Sequence, residues 1–207
     1  MIDNIIRNKE MWGNPDSWID EGHDWSKFYG TTDRLWNEII YPRICMGLKG
    51  DVVEIAPGYG RITERLLMSD IKLSIIDINE NCIENCHKKF GDRIHEYHLG
   101  EGDNLKQFST GTKDFVLSFD SFVHMSEVVI NGYLGEIYRI LKHGGYAWIH
   151  HSNLYGGNED NFRNWGGRSN MTKEIFKEIA EQKGLKVINQ EYVQWEETLD
   201  IITTLRK

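Results

Sequence analysis

Asp51-Val52-Val53-Glu54-Ile55-Ala56-Pro57-Gly58-Tyr59-Gly60-Arg61-Ile62-Thr63 is the stretch that decides the fold. Val52 to Ile55 reads as a buried strand, the Pro-Gly-Tyr-Gly run as a turn, and the residues from about Ile62 to Ser69 as a helix. Gly58 and Gly60 permit dihedrals, and a closeness of approach, that a Cβ would forbid. In an α/β chain such a turn faces a nucleotide-like ligand at the carboxyl ends of the strands. The dinucleotide fingerprint G-x-G-x-x-G fails at Thr63, and no Gly-Lys-Ser/Thr follows to make a phosphate loop. The only cation of the turn, Arg61, comes late. The ligand is therefore one that the backbone approaches closely and that carries no phosphate. A second apolar strand, Leu73-Ser74-Ile75-Ile76, ends in Asp77. A carboxylate there can accept both hydroxyl hydrogens of a ribose.

Working outward, Glu54-Ile55-Ala56-Pro57-Gly58-Tyr59-Gly60 resembles the first motif of the class I S-adenosylmethionine-dependent methyltransferases, with Ala56 in place of the first glycine. Asp77, with Ile78 beside it, matches the family's ribose-holding acid. Gly102-Asp103-Asn104-Leu105 loosely matches the segment whose acid contacts the adenine amino group. Asp114-Phe115-Val116-Leu117-Ser118-Phe119-Asp120 matches strand four, and Leu141-Lys142-His143-Gly144-Gly145-Tyr146 the entry to strand five. The resemblance covers residues 50 to 207, with five motifs in order. It implies a Rossmann-like α/β fold: a seven-stranded, mostly parallel sheet with an antiparallel last strand, helices on both faces and an N-terminal helical lid. It also implies S-adenosylmethionine as cofactor and S-adenosylhomocysteine as product. Glu54, Gly58, Gly60, Asp77, Ile78, Asp103, Asn104 and Phe119 would frame the cofactor.

Composition sets the boundaries. The chain of 207 residues, 40% hydrophobic and 27% charged, suits one domain with a small appendage. We divide it into an aromatic lid segment, 1–50, and a cofactor-binding domain, 51–207. The net charge of −8 and the lack of a basic stripe argue against a nucleic acid partner. Residues Met1 to Arg7 lack the apolar core of a signal peptide, and no run of about eighteen apolar residues exists to cross a membrane. Three cysteines, Cys45, Cys82 and Cys86, fit reduced thiols in the cytoplasm. Cys82, Cys86 and His87 have helical spacing, but zinc requires four ligands and no second cluster is near; no metal is expected.

Alternation of strand and helix continues down the chain. Helices are expected over Asn79–Phe90, Glu127–Leu141 and, capped by Thr172, on to Lys183. Strands are expected at Ile94–Leu99, Phe115–Phe119, Tyr146–His150, Lys186–Tyr192 and Leu199–Leu205. Before the domain, Thr32 to Met46 has the spacing of an amphipathic helix, interrupted or kinked by Pro42. In the resembled family such helices fold over the cofactor. Trp25, Tyr29 and Trp36 are the lid candidates here; the alternative is that they only cover the sheet.

Methyl transfer from a sulfonium is an in-line displacement, in which alignment alone is worth about 7–11 kcal/mol. Taking a proton from a hydroxyl acceptor contributes a further ~10²–10⁴-fold, and histidine is the usual agent. His124 lies just past strand four, where some small-molecule O-methyltransferases that this chain resembles carry a catalytic histidine; packing is the alternative. His150 and His151 end strand five. Adjacent strand residues face opposite ways, and of the two His151 is chosen for the cleft. The loop that follows offers Asn153, Arg163, Trp165 and Arg168, which with Asp120, Trp25 and Tyr29 would receive a sugar-derived or anionic acceptor. Pairing of the arginines with Glu159 and Asp160 is the ordinary alternative. The expectation is a small-molecule methyltransferase acting on a hydroxyl. An amine-directed enzyme and a silent S-adenosylmethionine-binding relative are the rivals.

Overall fold

The computed structural model describes residues 2–154, 167–195 and 198–207. Arg163 and Trp165, with Glu159 and Asp160, lie outside the described residues. The strands are β1 (Gly50–Ile55), β2 (Ile71–Asp77), β3 (Glu96–Leu99), β4 (Lys113–Ser118), β5 (Leu141–His151), β6 (Lys186–Trp195) and β7 (Thr198–Arg206). They form one sheet in the order β3-β2-β1-β4-β5-β7-β6. The first five run parallel, and β7 is antiparallel to both β5 and β6. This is the expected architecture. The apolar β7 takes the inner place against β5, while the more polar and exposed β6 forms the edge, where charge and polarity discourage further pairing.

Alternation along each strand divides the core. Val53, Ile55, Val116, Ala147 and Ile149 face the helices Glu127–Ile140 (α6) and Lys173–Gln182 (α7). Val52, Leu73, Ile75, Leu117 and Trp148 face the opposite layer, with Leu66 of α4 (Thr63–Leu66) and Phe90 of α5 (Glu80–Phe90). Thr172 caps α7 as expected, accepting from the Ile175 N–H at 3.2 Å.

The N-terminal segment departs most from expectation. It opens with an unforeseen helix, α1 (Ile2–Gly13), followed by 3₁₀ turns over Pro15–Ser17 and Ile19–Tyr29. Helical turns then run from α2 (Thr32–Arg34) through a wider π segment, Leu35–Ile40, into α3 (Tyr41–Ile44). The cap of α2 is Thr31, whose side chain accepts from the Arg34 N–H. Pro42 removes a backbone donor, and the distortion precedes it. Arg43 Nη1 supplies the missing hydrogen bonds, donating to Ile39 O at 2.7 Å and Glu38 O at 3.3 Å. Among the described residues, no helix is long and apolar enough to cross a membrane.

Candidate functional site

The chain turns from the β3-β2-β1 half of the sheet to the β4-β5 half between β1 and β4, and ligands bind at such switch points. A cavity of about 510 Å³ opens there, a volume typical of small-molecule sites. Its floor is the turn after β1 and the tips of β2 and β4; its roof is Trp12, Trp18 and Trp25 of the N-terminal segment.

Asp77 ends β2 with its carboxylate turned toward the turn. Oδ2 accepts from the Gly58 N–H at 3.2 Å and Oδ1 from the Asn79 N–H at 2.9 Å. Burial pushes its pKa up to about 6, despite the backbone donors that favour the charged form. Glu54, fully enclosed on β1, is pushed up by burial to about 7. Its Oε2 accepts from Thr63 Oγ1 at 2.6 Å. Thr63, the residue that breaks the dinucleotide fingerprint, thus holds the acid of this turn. Ala56, in place of the motif's first glycine, has φ +57, a left-handed value that strains a residue with a Cβ.

The two glycines serve different ends. Gly58, at φ +58, lines the cavity, and a Cβ there would run into the Trp18 ring. Gly60, at φ +86, does not line it; a Cβ there would meet Phe90 of α5, so this glycine packs the turn against its neighbouring helix. Ile78 and Phe119 lie in the wall, as expected. Asp103 and Asn104 do not: Asn104 Nδ2 donates to Glu101 Oε2 and Asp103 Oδ1, and Gly102 forms the wall instead.

The histidine assignments divide. His124 lines the cavity, beside the Trp12 ring at 4.9 Å. Its Nδ1 stands 2.9 Å from the carbonyl of Gly167 and must donate, so Nε2 carries the lone pair. Burial pushes its pKa down to about 4, and Arg168 adds to the effect. His151 is a correction. It faces away from the cavity, fully buried against Phe176 of α7 at 3.8 Å, with its nitrogens on Ser152 O and Thr203 Oγ1. The alternation along β5 holds with the opposite phase, and His150 is on the cavity side, stacked on Phe119 at 4.6 Å. Asn153 is a second correction, since its Oδ1 accepts from the Lys173 N–H and so serves the start of α7.

Beyond Phe119 the wall is a buried charge network. Arg61 Nη2 donates to Asp120 Oδ2 at 3.0 Å and Nη1 to Ser26 Oγ at 2.9 Å. Arg168 grips Asp200 through Nε at 3.1 Å and Nη2 at 2.7 Å, and Nη2 stands 3.7 Å from Asp120 Oδ1. The Asp120 N–H donates to His150 Nδ1, leaving the proton on Nε2, 3.4 Å from Asp200. Burial would raise the Asp120 pKa, but Arg61 and Arg168 outweigh it and hold the carboxyl below the usual range. Arg168 also lies over the Trp195 ring at 4.9 Å.

Of the lid candidates, only Trp25 reaches the cavity. Tyr29 donates its hydroxyl to Gln194 O, and Trp36 is buried in the core beneath the sheet. Sequence reasoning missed Trp12, Trp18, Tyr133 and Trp195, which line the cavity, and Asp200 behind it. Arg61 had a signal, as the one cation of the turn. Cys86 Sγ–H donates to Gly58 O at 3.3 Å, placing that thiol under the turn.

The donor set suits an adenosyl ligand. Four buried polar atoms on residues that line the cavity lack a hydrogen-bond partner among the described residues: Asn8 Oδ1, Trp12 Nε1, Asn79 Nδ2 and Asp120 Oδ1. Such groups are costly unless a ligand completes them. The Asp77 carboxylate, turned to the backbone turn, is of a kind that can accept hydroxyl hydrogens, and the cation of that turn, Arg61, is bound to Asp120 and Ser26.

Comparison with known proteins agrees. Residues 52–145 match the family model described as a methyltransferase domain. No curated protein matches the chain. A solved S-adenosylmethionine-dependent methyltransferase from Clostridium acetobutylicum superposes with a TM-score of 0.72 at 12% identity, over 90% of this chain and 97% of that one. One from Leishmania major gives 0.71 at 11%, over 98% and 83%. The [4+2]-cyclase SpnF gives 0.69 at 16%, over 84% and 80%. At these identities the likeness concerns the fold. Residues 52–145 thus carry a methyltransferase domain, and together with the order of the sheet the neighbours support reading the chain as a class I S-adenosylmethionine-dependent methyltransferase.

Proposed function

We propose that the cavity takes the adenosyl part of S-adenosylmethionine between Asp77 and the wall of Ile78, Asn79 and Gly102, and that the transferred methyl group goes to a small molecule admitted near Phe119, Asp120 and His124. The observation that carries this is the Asp77 carboxylate, turned to the Gly58 turn at the edge of an apolar cavity. The cofactor supplies a methyl group already activated on a sulfonium, so the protein has chiefly to align and enclose. The tryptophan roof over the turn supports a small acceptor, because the space beside it is a cavity of about 510 Å³. Calorimetry with S-adenosylhomocysteine tests the cofactor assignment; absence of binding would remove it.

The acids of the turn give this binding a pH dependence. Asp77 can accept a hydroxyl hydrogen on each oxygen, and accepts them most strongly, when ionised, and its folded pKa is raised to about 6. Ligand binding therefore expels a proton below that pH. Affinity for S-adenosylhomocysteine is expected to rise up to about tenfold per pH unit below pH 6 and to level off above pH 7, where Glu54 is also ionised. The unliganded protein behaves in the opposite sense. Both folded acids bind protons more tightly than their unfolded forms, so their contribution to stability is present at low pH and is lost as pH rises through about 7. Calorimetry and melting curves across that window check both signs.

His124 is the candidate group on the acceptor side. A hydroxyl acceptor needs its proton taken, and a histidine held near 4 is a weak base for the task. An amine needs only a hydrogen-bond acceptor. His124→Ala is expected to lower turnover by about 10²-fold, the low end of what acid–base groups contribute, with little change in S-adenosylhomocysteine affinity. Full activity in that variant would take His124 out of the chemistry.

A further inference from the structure

Resting on the cofactor reading above, we infer that the acceptor atom is an uncharged amine nitrogen on an aromatic or apolar body, and that Asp120 is the residue that selects it. Asp120 ends the strand-four match but is not among the residues that would frame the cofactor, and its side chain is 8% exposed. Its φ of +62 is a left-handed value that a residue with a Cβ adopts at a cost, and here that backbone leaves the carboxylate in the cavity wall. One oxygen, Oδ2, is taken by Arg61. The other, Oδ1, accepts no hydrogen bond among the described residues; Arg168 Nη2 stands 3.7 Å from it, in ion-pair range but beyond hydrogen-bond reach. A buried carboxylate oxygen left in this state calls for a donor from the ligand.

The identity of that donor follows from what surrounds it. A carboxylate or phosphate on the acceptor would meet Asp120 as a like charge, and the fork of Arg168 is already committed to Asp200. The anionic acceptor expected from the sequence is therefore disfavoured. An ammonium would stand against Arg61 and Arg168 as well as the sulfonium, and has no lone pair with which to attack. A neutral donor remains. His124 Nε2 and Asp120 Oδ1 are both acceptors at this end of the cavity. A hydroxyl has one hydrogen for two acceptors, whereas a primary amine has one for each and keeps its lone pair for the methyl carbon. Trp12, Trp25, Phe119 and Trp195 provide the apolar walls.

The reaction balances without a further reagent. The nitrogen lone pair forms the N–C bond while the C–S bond breaks, and that pair stays on sulfur as the neutral thioether. Positive charge passes to nitrogen beside Asp120, and the proton then leaves by way of that carboxylate to solvent. The developing cation gives Asp120 its leverage, because a fixed charge in a water-poor site acts where charge appears.

The test uses the full chain with S-adenosylhomocysteine bound, titrated with benzylamine, benzyl alcohol and benzoate at a pH above the pKa of the amine. Tryptophan fluorescence reports occupancy, and release of S-adenosylhomocysteine from S-adenosylmethionine reports transfer. Benzylamine is expected to bind about tenfold more tightly than the alcohol, with benzoate weakest and methylation confined to the amine. Asp120→Asn is expected to abolish the preference and lower transfer by on the order of 10²-fold, with S-adenosylhomocysteine affinity unchanged. Equal or better binding of the alcohol or benzoate overturns the inference. So does a preference that survives in the variant, or indifference to all three probes in a protein that binds S-adenosylhomocysteine. Failure to bind S-adenosylhomocysteine at all strikes the cofactor reading instead. Should Asp120→Asn fail to fold, the ranking of the three probes on the wild-type chain still decides.

Discussion

Replacing Asp77 by alanine is expected to weaken S-adenosylhomocysteine binding by about 10²- to 10⁴-fold while the protein stays folded. The estimate follows from the proposed pose: two ribose hydroxyls donating to one carboxylate, each such charge-assisted bond being worth about 1.5–3 kcal/mol. The same carboxylate holds the N–H groups of Gly58 and Asn79, so its removal also loosens the turn that has to lie close to the ligand. Stability should change much less. Asp77 is a buried acid whose pKa is raised, so its charged form is already penalised in the fold. Asp77→Asn keeps the shape and loses the charge, and should fall between the two. Calorimetry on the three proteins, with melting curves alongside, checks the ranking. Affinity unchanged in Asp77→Ala would mean that the cavity holds its ligand in some other way.

What the sequence made legible was whatever sits on one continuous strand and its following turn. Glu54, Gly58 and Asp77 are placed by the alternation and ends of β1 and β2, and both strands are buried runs whose register the core fixes. The phase of β5 was misread. That strand begins at Leu141, five residues before the Tyr146 expected, and its pairing with β4 shifts between Lys113 and Phe115. From Tyr146 onward the alternation is regular, with Ala147 and Ile149 in the layer of α6 and α7, so His151 joins that layer and His150 faces the other way; choosing the later histidine ignored this phase. The adenine segment was misjudged by one residue, with Gly102 in the wall rather than Asp103. Trp12, Trp195 and Asp200 come from the first helix and the last hairpin, and only the folded chain brings them to the cavity. No local period could announce them.

Arg168→Ala is expected to destabilise the protein by about 3–5 kcal/mol, the usual result of stripping one partner from a buried ion pair. Asp200 is fully buried in β7, and Arg168 holds it with two donors. Without the guanidinium that charge would keep only the His150 proton, 3.4 Å away. At about 2–4 °C per kcal/mol for a chain of this size, the melting temperature should fall by roughly 6–20 °C. The pH dependence separates this from a simple packing defect. Burial raises the pKa of Asp200 once its partner is gone, so protonation relieves the variant. Its deficit should be largest near neutral pH and shrink as pH falls. Arg168→Ala combined with Asp200→Ala should recover much of the loss, because removing both charges leaves none stranded. A single variant within about 1 kcal/mol of wild type would show that water reaches Asp200. The buried charge network behind Asp120, on which the proposed choice of acceptor rests, would then be open to solvent.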